Sequence, residues 1–221
     1  MRSVFWRLLW LLPWTVLLSC ADIAAPSRGN AYEWRRILPS TSGADTFAFH
    51  WPSSELPVRF WAEDSLALPA HVLNGIDQWE AVFLYGEFSG IVVSDSSTAD
   101  VIVKTGIAPK GGFSITRLES MLAPECQGAT DVELSSTGEE IVRPIRVYVD
   151  PRFAAGSPGL DECMALTTTH EIGHALGIFA HSPDPGDLMY GDPIVATPSR
   201  RDRSTAELAY HTEPTLTVAP R

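Results

Sequence analysis

The chain has 221 residues and a mass of 24.1 kDa, with 16 basic against 27 acidic side chains and a formal charge of −11. That length suits one domain with appendages, and 45% apolar with 19% charged residues is enough to bury a core, which excludes a wholly disordered chain. The acidic balance also excludes the clustered Lys and Arg of a nucleic-acid binder.

At the N-terminus, Arg2 and Arg7 flank the start of an apolar run from Leu8 to Leu18. As a helix that run would rise only about 16 Å, well short of a ~30 Å hydrocarbon core, so residues 1–19 read as a signal peptide. Leu17-Leu18-Ser19-Cys20 resembles a bacterial lipobox, which would make Cys20 the lipidated N-terminus of the mature protein. Cleavage after Ala21 is the alternative, because Ser19-Cys20-Ala21 has the small-x-small form. Either route exports the domain, to a bacterial cell envelope on a lipid anchor or into the medium as a secreted protein.

Residues 20–50 are rich in Ala, Pro, Ser and Gly without a sustained period, and read as a tether. Pro57–Trp61 alternates like a strand. Pro69 then opens a helix whose Val72, Ile76, Trp79 and Phe83 form one apolar stripe, the mark of a buried face. Ile91–Val93 and Ala99–Lys104 are short strand-like runs separated by the turn-like Ser94–Thr98. Loop signals dominate from Thr105 to Ala123. Gln127–Leu134 and Ile145–Val149 read as further strands, and Asp161–Ile178 as a helix capped by Asp161. A short helix follows around Ser204–Tyr210, and residues 212–221 are expected to fray. Cys126 and Cys163, an isolated pair in an exported chain, are expected to form a disulfide rather than zinc thiolates or a catalytic thiol.

His170-Glu171-Ile172-Gly173-His174 carries the chemistry. Positions i and i+4 share a helix face, so both imidazoles can reach one Zn²⁺ at ~2.0–2.1 Å, and Glu171 lies beside that face to take a proton from the metal's water. Gly177 would end the helix and let the chain bring His181 back as a third ligand. Three protein ligands leave the fourth position open, as catalytic zinc needs. Asp187-Leu188-Met189-Tyr190 follows His181. His50, His71 and His211 each stand alone and read as packed or solvated side chains.

The stretch HEIGHALGIFAHSPDPGDLMY, residues 170–190, resembles the zinc-binding helix and Met-turn of the metzincins, and within them the matrixins, especially bacterial lipoprotein forms. The resemblance covers residues 51–211 as a peptidase domain. It implies an α+β fold: a twisted, mostly parallel five-stranded sheet with an antiparallel edge strand, a long backing helix, an active-site helix and a short C-terminal helix. It implies His170, His174 and His181 as zinc ligands, Glu171 as general base, Met189 as the floor under the metal, and Tyr190 in the place of the Tyr that follows this Met in matrixins. Calcium is compatible with the family, but no ligands are assigned to it here. A peptide substrate would bind as an added strand, best along Cys126–Leu134, with Gly112–Arg117 as the competing segment.

Three departures accompany the resemblance. The commonest spacing, HExxHxxGxxH, would put the third ligand at Ala180, one residue before His181. There is no cysteine-switch propeptide and no His-rich loop for a second zinc. The reading is therefore a monomeric, envelope-anchored zinc endopeptidase, without nucleic-acid partners. Its rivals are a non-catalytic envelope binding protein that retains the fold, and a zinc carrier, which would show His-rich tracts. The loop Leu188–Thr197 should wall the pocket for the side chain after the cut, with Pro193, Ile194 and Val195 as apolar lining.

Overall fold

The structure is a computed structural model that describes residues 29–41, 43–109, 126–154 and 156–221, and the backbone of 116–120. The expected signal peptide 1–19, Cys20 and most of Gly112–Arg117 lie outside the described residues. In chain order the elements are β1 (Arg36–Ser40), β2 (Gly43–Phe47), β3 (Val58–Ala62), α1 (Leu68–Glu80), β4 (Gly90–Val92), β5 (Val101–Thr105) and β6 (Thr116–Ser120). They continue with β7 (Cys126–Val132), β8 (Glu140–Ile141), β9 (Ile145–Pro151), α2 (Leu160–Ala175), α3 (Arg200–Tyr210) and β10 (Thr217–Val218).

The main sheet runs β4-β3-β5-β9-β7-β6. The first four strands are mutually parallel, while β7 is antiparallel to both β9 and β6. Strand alternation explains why one face is covered. Val58 and Phe60 of β3, Val101 and Val103 of β5, and Ile145, Val147 and Val149 of β9 are buried, while Arg59, Trp61, Lys104, Arg146 and Tyr148 take the opposite face. α1, with Val72, Ile76 and Trp79 buried, packs against α2 through Gly75 and Trp79 and against β4 through Ile76, and α2 in turn lies on β7 and β9.

From Thr167 to Ala175 α2 is buried around its whole circumference, with Thr167, Thr168, Thr169, His170, Glu171 and His174 all inside. Packing therefore holds helical a Thr run that propensity alone disfavours. The Trp79 indole N–H donates to the Thr169 carbonyl at 2.8 Å and so ties α1 to α2. The disulfide Cys126–Cys163 joins the start of β7 to the first half of α2, as expected from the isolated pair.

Three expectations need correction. The five expected strands are joined by β6, so the antiparallel strand β7 is an inner strand rather than the edge. The tether does not extend to residue 50: Tyr32, Trp34, Phe49 and Trp51 are buried, and β1 pairs with β2 as a hairpin. Nor does the tail fray. Leu216 is buried, β10 pairs in parallel with β8, and the Arg221 guanidinium reaches Asp100 at 3.1 Å. These segments carry isolated apolar anchors without a period, so nothing local announces that each has a place in the core.

Asp100 organises the rim nearest that tail. Its carboxylate is fully buried and accepts from the Arg59 backbone N–H (2.9 Å), from Arg143 (2.9 Å) and from Arg221 (3.1 Å). Burial alone would push this carboxyl up, but the Arg59, Arg221 and Arg143 bonds outweigh it and hold the pKa well below the usual carboxylate range. A depressed native pKa means that the stabilisation is complete above the ordinary Asp range and is lost as pH falls toward the native value. Asp100→Asn should therefore lower the unfolding free energy at pH 7 by about 1.5–3 kcal/mol, because it removes the buried charge that three guanidinium groups share, while Arg143 and Arg221 keep Glu55 as a partner. The same variant should flatten the acid limb of the stability curve, measured by denaturant unfolding at pH 7 and pH 3.

Candidate metal centre

His170 and His174 stand one turn apart on α2 and are fully buried. The helix stops because Gly177 adopts φ +107°, and a Cβ there would sit 2.0 Å from the Phe49 carbonyl oxygen. Only glycine fits both the backbone conformation and the space. Beyond it, the Phe179 and Ala180 N–H groups both donate to the Trp34 carbonyl, at 2.6 and 2.9 Å. A residue of the expected tether thus pins the loop that returns His181 to the helix. The longer spacing between Gly177 and His181 is absorbed in this pinned turn.

The three side chains converge. His170 Nε2 and His174 Nε2 are 3.1 Å apart, His174 Nε2 and His181 Nε2 are 3.2 Å apart, and all three ligand atoms lie within 4.8 Å of one another. Nitrogen ligands ~2.1 Å from a tetrahedral zinc sit about 3.4 Å from each other, so the spacing fits one ion. The opposite ring nitrogens support the same assignment. His170 Nδ1 lies 2.7 Å from the Leu188 carbonyl and His174 Nδ1 lies 2.6 Å from the Ile178 carbonyl. A carbonyl only accepts, so each Nδ1 is assigned as the N–H donor and each Nε2 as a bare lone pair. Lone pairs aimed at one another in a buried site want a cation between them.

Electrostatics agree with that tautomer. Burial, reinforced by His181, pushes the His170 pKa down to about 3. His174 is held well below its ordinary value by burial and by its two histidine neighbours, and His181 is lowered by burial and by Arg36. Metal-binding imidazoles must be neutral, and all three shifts favour that form. Among the described residues this is the cluster able to hold a metal ion. Asp184, the other candidate for third ligand, instead caps the Gly186 N–H at 2.9 Å and pairs with Arg201 at 3.5 Å. His50, His71 and His211 lie elsewhere: His50 against the Tyr210 ring, His71 near Asp161, and His211 near Glu87.

Glu171 is fully buried beneath β7. The Thr130 hydroxyl donates to Glu171 Oε2 at 2.6 Å, and a Cβ on Gly128 would lie 2.2 Å from Oε1. Neither β7 residue is announced by a motif; their only signal is that positions 128 and 130 share one face of a strand.

The Met189 side chain is fully buried against α2, where a Cβ on Gly173 would fall 2.5 Å from its sulfur. Tyr190 pairs with Ser182 across the turn, and the Ser182 N–H donates to the Met189 carbonyl at 2.7 Å. Asp202 holds this turn in place. It is fully buried, accepts from the Leu188 N–H at 2.8 Å and from the Ser199 N–H at 2.8 Å, and takes the Tyr32 hydroxyl at 2.7 Å. Since the Leu188 carbonyl orients His170, Asp202 sits one link behind a candidate ligand. Its sequence signal is a capping box, Ser199-x-x-Asp202, at the head of α3. In the expected pocket wall, Pro193 is buried, Val195 packs on the core, and Ile194 is 78% exposed.

No protein-family model matches the chain, and no curated protein matches it significantly.

Proposed function

We propose that the protein is a zinc-dependent endopeptidase of the metzincin clan, of matrixin type, working as a monomer in the cell envelope on a lipid anchor at Cys20 or in secreted form. The observation that carries this reading is the trio of neutral imidazoles, with Nε2 separations of 3.1 and 3.2 Å, on a helix that also carries the buried Glu171. Three imidazoles suit Zn²⁺, and three ligands leave room for a water or substrate oxygen. When bound, zinc supplies Lewis acidity that activates a water and polarises the scissile carbonyl.

The chain's own groups do the rest. Leu188 and Ile178 carbonyls fix the orientation of His170 and His174. Glu171 accepts the proton of the attacking water and delivers it to the leaving amine, so that one carboxylate serves in turn as base and acid. Met189, packed at Gly173 between the two helical ligands, keeps the floor of the site rigid. The disulfide holds β7 across α2 and suits an exported protein.

A peptide would bind as an added strand beside β7, the strand that touches Glu171. β6 already holds the outer edge of β7, in register from Thr116↔Val132 to Ser120↔Gly128. A peptide pairing with β7 would have to take the place of β6, and one pairing with β6 would lie one strand spacing, ~4.8 Å, farther from Glu171. That occupied edge is the observation favouring a second reading, a non-catalytic envelope binding protein with the same fold.

Cleavage of a mixed peptide library, read by mass spectrometry with the zinc-loaded protein, tests the choice. Cut peptides from the wild type and none from Glu171→Ala are the expected result. One bound zinc per chain with no cut peptide would favour the binding protein.

A further inference from the structure

We propose that Thr130 is a positioning residue for Glu171, and that Gly128 provides the space in which the carboxylate is held. This inference rests on the peptidase reading of the same site. A general base works only if its oxygen is aimed, and a three-bond side chain such as Glu is aimed by what it touches. Glu171 lies 41 positions from Thr130, yet the Thr130 hydroxyl sits 2.6 Å from Oε2. Thr130 is itself fully buried. On the same face of β7, two residues earlier, Gly128 approaches Oε1 so closely that a methyl group would collide at 2.2 Å. One residue grips an oxygen, and the other leaves room for its twin.

The competing account is that Thr130 merely satisfies the α2 backbone, because its hydroxyl is also 3.1 Å from the Glu171 carbonyl. The two accounts separate in a double-mutant cycle. Thr130→Val keeps the shape and removes the hydroxyl, while Glu171→Ala removes the carboxylate but keeps the backbone carbonyl. If Thr130 grips the carboxylate, Thr130→Val shifts the unfolding midpoint of the metal-free wild type and shifts that of Glu171→Ala much less. Equal shifts in both backgrounds would overturn the proposal.

The second reading is kinetic, on a peptide the zinc-loaded wild type cleaves. Thr130→Val should lower kcat about 10- to 100-fold, with KM within about twofold and zinc stoichiometry unchanged. Thr130→Ser, which restores a hydroxyl, should recover most of kcat, and Gly128→Ala should lose kcat while keeping zinc. Unchanged kcat in Thr130→Val, or no recovery in Thr130→Ser, would also overturn it. Absence of wild-type cleavage would sink the peptidase reading instead, and the unfolding cycle would still decide whether Thr130 holds the carboxylate.

Discussion

Glu171→Ala is expected to bind one zinc per chain and to lose at least about 10³-fold in kcat/KM toward any peptide the wild type cleaves. The size follows from the position of the carboxylate. Among the described residues no acidic side chain joins the three-histidine cluster, so none beside it is placed to take over the proton transfer. Zinc is retained because Glu171 contributes no atom to the group of converging nitrogens. The fold should also survive. The Thr130 hydroxyl keeps the Glu171 main-chain carbonyl as an acceptor at 3.1 Å, and the disulfide still joins β7 to α2. Steady-state kinetics beside metal analysis of the same preparation decides the matter. Substantial turnover in a zinc-replete variant would remove Glu171 from the reaction.

His181→Ala should weaken zinc binding by more than about 100-fold, measured by competition with a chromophoric chelator, since loss of an orienting neighbour alone costs 10–100-fold. Two imidazoles on one helix turn would remain, but two ligands hold zinc poorly where a catalytic site supplies three. Asp184→Ala, His50→Ala and His71→Ala are the controls and should leave affinity unchanged, because none of these side chains approaches the cluster. Full affinity in His181→Ala would show that the third ligand is misassigned. The comparison also tests the pinned turn: its register depends on the Trp34 carbonyl and on Gly177, so the ligand is delivered by contacts far from the metal.

Much of the scaffold was legible in local patterns. Val58, Phe60, Val101, Val103, Ile145 and Val147 alternate with polar or half-exposed neighbours, which places strands wherever one sheet face is covered. The stripe Val72, Ile76 and Trp79 places α1, and the spacing of His170, His174 and Gly177 places two candidate ligands and the helix end. Each of these signals has a range of one to two turns, the range over which chain geometry is fixed by bonds and sterics.

What lay beyond that range was decided by tertiary structure. Thr130 meets Glu171 across 41 positions, and Tyr32 meets Asp202 across 170, pairings that no local spacing announces. Arg221 joins Asp100 across 121 positions, and so a tail with no local reason to order becomes part of the fold. β6 likewise closes the edge of β7, which alternation within either strand does not foretell. The sequence by itself thus determined the candidate ligand pair His170 and His174 and the helix that carries them, because i, i+4 spacing is local geometry. Only the tertiary structure decided how Glu171 is aimed, how the turn Asp187–Tyr190 is held and how the returning loop delivers His181. Those contacts are selected by the shape and charge left over once the core has closed.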